Sequence, residues 1–165
     1  MGDQAMTGRW QDGRADFDFY IGRWKVHHRM LRKRLEEAQE WEACEGTAVV
    51  RKVLEGLGNV DEITIERAAG RVVGMTVRLF DPRSQQWSIY WADSVNGGLQ
   101  PPMFGEFKNG RGIFYNQETF NGKKIFIRFI WSSQAADRCR WEQAFSADGG
   151  STWETNWIME FMRIE

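Results

Sequence analysis

The chain is poor in the residues that usually mark a chemical site or an irregular scaffold: two histidines, two cysteines and three prolines in 165 residues. The histidines, His27 and His28, stand side by side in the stretch Gly22-Arg-Trp-Lys-Val-His-His-Arg-Met30. Adjacent residues of a strand point to opposite faces, so these two rings cannot chelate one metal. Cys44 and Cys139 lack the spacing of a zinc site. No metal or other cofactor is therefore expected. The cysteines could pair only if the fold brought them together, and two free, mostly buried thiols in a cytoplasmic protein is the simpler account. Charge of one sign is also lacking. A formal net charge of -1 provides no overall field for nucleic acid. The local run Arg29, Arg32, Lys33 and Arg34 is answered at once by Glu36, Glu37, Glu40 and Glu42, as on a solvated, compensated strand end. No uncharged apolar stretch is long enough to span a bilayer. The first twenty residues lack the basic start and apolar run of a secretory signal. Neither a nucleic acid nor a membrane is expected as a partner, and the cytoplasm is the expected compartment.

What is abundant is aromatic: nine Trp and eleven Phe. Together with so little proline, this suits many strands with large side chains on their faces. The length fits one domain with a sizeable core. Residues 1–15 read as a flexible leader and 16–165 as a single domain. In Asp16-Phe-Asp-Phe-Tyr-Ile-Gly-Arg-Trp24 the apolar residues fall at helical spacing until Gly22, so a short helical turn is expected before the first strand. Beyond it the period shortens. Strands are expected at 24–33, 41–54, 60–67, 72–80, 86–92, 103–108, 111–120, 124–132, 138–146 and 152–163. Asn109-Gly110 and Asn121-Gly122 have the chemistry of two-residue hairpin turns. Such short connections force neighbouring strands to lie antiparallel, and no Gly-rich phosphate loop, strand-helix alternation or internal repeat competes with that reading. Closure removes both edges of the meander and leaves room inside. The expected fold is all-β: an up-and-down antiparallel barrel of about ten strands. Leu35-Glu-Glu-Ala-Gln-Glu40 is expected as a helical turn over the barrel mouth, and the Gly/Pro-rich segment 93–102 as a mobile rim loop.

The stretch Phe19-Tyr-Ile-Gly22-Arg-Trp24 resembles the N-terminal Gly-x-Trp signature of the lipocalins and their calycin relatives. There a helical turn leads into the first barrel strand, and the Trp packs across the closed end. The chain as a whole is similar to small bacterial proteins of unassigned function with a lipocalin-like barrel, over roughly 16–165. The resemblance implies that Trp24 sits at the barrel base, covered by a basic side chain of the last strand, for which Arg163 is the match. Lipocalins proper have eight strands, a secretion signal and often a disulfide. This chain departs on all three and stands nearer the intracellular ten-strand lipid-binding type and the haem-binding nitrobindin-like branch. The nitrobindin-like proteins carry their haem histidine near the C-terminal end of the barrel, where this chain has Trp153, Trp157 and Met159 instead. Haem is a minor alternative, with His28 as its inward ligand.

Strict alternation puts Trp24, Val26, His28 and Met30 on one face. If Trp24 faces in, His28 does too, as a wall histidine, a polar ligand contact or an acid-base group. Charged residues recur inside apolar strands: Arg78, Glu106, Arg128, Arg140, Glu142 and Glu154. His28, Arg78, Tyr90, Tyr115 and Arg128 form the candidate pool for a cavity that takes a carboxylate at the head of an apolar molecule. Non-covalent binding of a small, partly apolar molecule, an organic anion above all, is the function expected. The rival is a barrel enzyme of isomerase, decarboxylase or hydratase type using Glu106, Glu142, His28, Tyr90 and Tyr115, although no catalytic spacing singles out a reacting set. The last strands are apolar on both faces. Several of Trp131, Trp141, Phe145, Trp153, Trp157 and Phe161, or their alternates, would then lie outside and be covered in a homodimer. The competing account is a bulge that turns most of them inward.

Overall fold

The computed structural model describes residues 13–164. Of the leader expected at 1–15, only Gly13–Ala15 falls within them, as a single 3-10 turn, and the rest lies outside the described residues. A second 3-10 turn, Asp18–Tyr20, precedes the first strand. Ten strands follow: β1 Gly22–Leu31, β2 Trp41–Val53, β3 Gly58–Arg67, β4 Gly70–Asp81, β5 Gln86–Asp93, β6 Met103–Lys108, β7 Arg111–Phe120, β8 Lys123–Ala135, β9 Arg138–Ser146 and β10 Glu154–Arg163. Each pairs antiparallel with its neighbour in sequence, and β1 pairs with β10, which closes the barrel. The expected architecture and the short N-terminal helical element are both present.

The two Asn-Gly turns take the conformation that their chemistry favours. Asn109 and Gly110 have φ of 54° and 75°, and Asn121 and Gly122 have 48° and 79°. Two consecutive positive-φ residues match the right-handed twist of the flanking strands. The segment 35–40 differs from expectation. It forms no helix, and Leu35 and Glu37 are left-handed at φ of 61° and 55°. The Leu35 N–H donates to Glu154 Oε1 at 2.7 Å, which holds the turn against the start of β10. The segment between β5 and β6 is likewise organised by one side chain. Asp93 Oδ1 accepts from the backbone N–H groups of Val95 and Asn96, and Asp93 Oδ2 accepts from Trp91 Nε1 at 2.9 Å. Burial pushes the Asp93 carboxyl up, but these bonds outweigh it and hold it below the usual carboxylate range.

Packing divides the interior into two halves. At one end the N-terminal turn enters the barrel. Phe17 meets Trp87 edge-on at 4.8 Å and Phe107 at 4.9 Å, and Tyr20 meets Trp131 at 4.5 Å and Phe161 at 5.0 Å. Phe17, Tyr20, Trp24, Trp87, Phe114 and Trp131 are all fully buried there. Across this end Arg163, the cross-strand partner of Trp24, lays its guanidinium over the indole at 4.1 Å. Its three nitrogens donate to the carbonyls of Ile21 (2.6 Å), Phe19 (2.8 Å) and Ala136 (3.2 Å). Trp24 Nε1 donates back to the Tyr20 carbonyl at 2.9 Å, so turn, first strand and last strand are tied at one point.

A bulge decides the C-terminal faces. The register of β10 against β9 shifts between Thr155 and Trp157, and Asn156, fully buried, takes the extra position. Beyond it Trp157, Met159 and Phe161 pair with Gln143, Trp141 and Cys139 on the inner face. Trp131, Trp141, Phe145 and Phe161 are buried and Trp157 lines the interior, so most of the aromatic set expected on an outer face points into the barrel, and Trp153 stays outside against Arg128. What lies outside β9 and β10 is an ionic cluster with Ile158 and Met162 beside it. Glu160 Oε1 accepts from Arg29 and Arg140, both at 3.2 Å, and Arg140 also reaches Glu142 at 3.1 Å.

Candidate functional site

In the half of the barrel away from the Phe17 plug lies a cavity of about 570 Å³. That is within the range of small-molecule sites, about 300–1,000 Å³. Its walls follow from alternation on successive strands: Glu118 and Phe120 of β7, Ile127, Phe129 and Trp131 of β8, Trp141, Gln143 and Phe145 of β9, and Trp157 and Met159 of β10. Ile63, Thr76, Arg78, Ile89 and Trp91 complete the circle from β3, β4 and β5. Asn96, Gln100 and Pro101 contribute from the segment after β5, and Arg34 from the turn after β1. The Trp91 indole packs against β4 in the space that Gly74 leaves by having no Cβ. A Cβ there would fall 1.9 Å from the ring.

The deep end of the cavity is polar and already balanced. Arg78 donates through Nη2 to Asp61 Oδ2 at 2.8 Å and through Nη1 to Asn59 Oδ1 at 2.9 Å. Asp61 accepts further from the Tyr20 hydroxyl at 3.2 Å and from the Thr76 backbone N–H at 3.0 Å. Arg78 and Asp61 are 2% and 1% exposed. Two opposite charges at hydrogen-bond distance in so dry a place neutralise each other, and that offsets the cost of burying either alone. The guanidinium also lies over the rings of Phe17, Tyr20 and Trp131 at 5.0–5.3 Å. Burial, and then the Asp61 charge, keep the Tyr20 phenol protonated well above its usual range.

The mouth carries charges of both signs, Arg34 and Glu118, that form no ion pair among the described residues. Arg34 lies over the Phe145 ring at 5.4 Å and belongs to no ion pair among the described residues. Burial and then the nearby Arg67 lower its pKa, against the pull of Glu154. Glu118, on the inner face of β7, is raised by burial alone.

The candidates from sequence separate into two groups. Arg78 lines the cavity. His28 faces in and is fully buried, but it does not line the cavity. A carbonyl can only accept and an indole N–H can only donate. His28 Nε2, at 3.1 Å from the Thr64 carbonyl, therefore carries the proton, while Nδ1 accepts from Trp157 Nε1 at 3.3 Å. Both nitrogens of a neutral ring are thus used, and burial lowers its pKa to about 4. Tyr90, Tyr115 and Arg128 take outward positions. Tyr90 alternates with the cavity-lining Ile89 and Trp91, Arg128 with Ile127 and Phe129, and Tyr115 is half exposed. Arg128 lies over Trp153 at 4.5 Å, and Tyr115 is its cross-strand partner. Of the proposed acid-base groups, Glu106 and Glu142 also face out, paired with Lys108 at 3.3 Å and Arg140 at 3.1 Å. The structure does not bring that set together.

Arg34, Glu118 and Gln143 were missed. Glu118 shares a period-two face with Phe114 and Phe120, which is a usable signal once the inner face of β7 is known. Arg34 was hidden in a run whose charges looked compensated. In the structure Glu40 goes to Arg32 and Glu42 to Arg67, and neither pairs with Arg34.

Both cysteines are free, and burial pushes the Cys139 thiol up to about 12. Among the described residues no group of three or more His, Cys, Asp or Glu is placed to hold a metal, and no helix is long and apolar enough to cross a membrane. Compared with the models of known protein families and with curated proteins, the chain matches none. Its closed ten-strand antiparallel barrel, entered through a short N-terminal helical turn, is consistent with the calycin, lipocalin-like fold.

Proposed function

We propose that this protein binds a small, largely apolar organic anion non-covalently in the barrel cavity. The observation that carries the reading is the cavity of about 570 Å³, walled by Trp91, Trp131, Trp141 and Trp157 with Phe120, Phe129 and Phe145, and bearing at its mouth an arginine, Arg34, that is in no ion pair among the described residues. The aromatic walls supply the apolar contact and Arg34 supplies a cation for an acidic group. The four wall tryptophans also provide the assay. Titration of the purified protein with a panel of fatty and aromatic carboxylic acids is expected to change the intrinsic fluorescence saturably for at least one of them. A linear, non-saturating response to every acid would dismiss the reading.

A further inference from the structure

Two inner-face side chains at the open end of the cavity keep surface that the barrel does not cover. Glu118 and Phe120 point inward from β7 and are only half-buried, whereas Phe114 on the same face is fully buried against the plug. The surface they keep therefore opens into the cavity. Glu118 forms no hydrogen bond or ion pair among the described residues. Arg34 lines the same end, half-buried and likewise outside any ion pair among the described residues.

The two charges stand along one row of rings. The Arg34 guanidinium lies over Phe145 at 5.4 Å, and Phe145 meets Phe120 at 5.3 Å. Glu118 is two residues from Phe120 on the same face of β7, about 7 Å along the strand. Arg34 and Glu118 do not answer each other: the charges that act on Arg34 are Arg67 and Glu154, and burial is all that shifts Glu118. Arg78, the other charge in the cavity wall, is already matched by Asp61 at 2.8 Å. A bound anion would neutralise Arg34 but close Glu118 off from water as an unmatched like charge. A bound cation would do the reverse. A molecule with one charge of each sign meets both.

We infer that the ligand is amphoteric: its carboxylate goes to Arg34, its ammonium goes to Glu118, and its apolar body lies between them over the rings of Phe145 and Phe120. The ligand class is an acid and an amine joined by an apolar spacer. This assignment rests on the binding function proposed above and adds to the acid a second, positive group and the residue that receives it.

The test uses the full chain at neutral pH and three series built on hexanoic, octanoic and dodecanoic acids. These are the ω-amino acids, the ω-hydroxy acids, which keep a polar end without its charge, and the methyl esters of the ω-amino acids, which lose the carboxylate. A charge-assisted hydrogen bond gained at a half-buried carboxylate is worth about tenfold in affinity. At the spacer length that joins Arg34 to Glu118, the amino acid is therefore expected to bind about tenfold more tightly than the hydroxy acid and than the ester. Glu118→Gln is expected to bring the amino acid down to the affinity of the hydroxy acid, while the hydroxy acid itself binds no more weakly than before. Arg34→Gln is expected to bring the amino acid down to the affinity of the ester. Equal affinity of amino and hydroxy acids for the unmodified protein at every length would overturn the inference without recourse to any variant. So would an amino preference that survives Glu118→Gln, or a preference over the ester that survives Arg34→Gln. If carboxylic acids bind saturably and the amino group brings no gain, the amphoteric assignment fails and the binding function stands. If no acid of any kind binds, both fail.

Discussion

At the scale of single residues, His28 shows how burial turns a versatile side chain into a structural one. The unfolded chain protonates this ring near 6.5 and the folded chain near 4, so the unfolded state binds the extra proton in between. Stability is fully present above 6.5 and is lost as pH falls toward 4, by an amount on the order of 3 kcal/mol. Chemical denaturation of the unmodified protein from pH 7 to pH 4 is expected to show that decline, and His28→Gln is expected to flatten it. Asp148, held at about 2 chiefly by the Thr152 hydroxyl, acts lower on the scale, whereas Glu118, raised by burial, titrates in this window with the opposite sign, so the His28 contribution is read from the difference between the two proteins. The Thr64 carbonyl reaches His28 because Gly46 stands between them without a side chain. A Cβ at 46 would lie 1.8 Å from that oxygen and 3.0 Å from His28 Nε2. Backbone cannot yield as a flexible side chain does, so Gly46→Ala is expected to cost about 1–3 kcal/mol in urea denaturation, despite being the smallest change available.

At the scale of elements, strands and tight turns were legible because their signals are local: period-two alternation, and Asn-Gly pairs whose only comfortable conformation is the one observed. The segment 35–40 was not, since its helix-forming composition yields to one long-range bond from Leu35 to Glu154. Nor could local pattern locate the bulge at Asn156 that directs the face of β10. That single extra residue decides whether Trp157 and Phe161 meet solvent or core, which is why the outer face keeps Trp153 but not the larger aromatic set expected from sequence. The joints between elements are unequal. β5 and β6 share three register pairs, Trp87 with Gly105, Ser88 with Phe104 and Ile89 with Met103, whereas β7 and β8 share ten. Amide exchange is expected to be fastest in β6 and in the second half of β5, beside the mouth of the cavity, with β1 and β8 slowest. Uniform protection around the barrel would contradict that. The opposite end is fastened by Arg163, whose three carbonyl bonds and stacking on Trp24 join the first and last strands. Arg163→Ala is expected to cost about 2–3 kcal/mol in urea denaturation, with Arg163→Lys recovering less than half of it, since an ammonium cannot make the planar fork.

At the scale of the whole molecule, the barrel separates two tasks along its axis. The Phe17 plug and the Arg163 fastening fill and close one end, and the other end keeps a walled space with charge at its rim. The candidate site was legible in kind and only in part by residue. Aromatic wealth and mid-strand arginines pointed to a lined cavity, and Arg78 is in it. Tyr90, Tyr115 and Arg128 were misplaced because a strand with large groups on both faces carries no internal mark of which face is inside. Arg34 and Glu118 come to the mouth only through closure, which no local pattern encodes. The central claim is that ligand occupies this space and not the outer surface. It is tested most directly by calorimetric titration of the tightest-binding acid into the unmodified protein and into Ile127→Trp, whose added ring projects from β8 into the cavity. With the two proteins matched for melting temperature, affinity is expected to fall by at least about tenfold in the filled variant. An unchanged dissociation constant would place the ligand elsewhere and contradict the account.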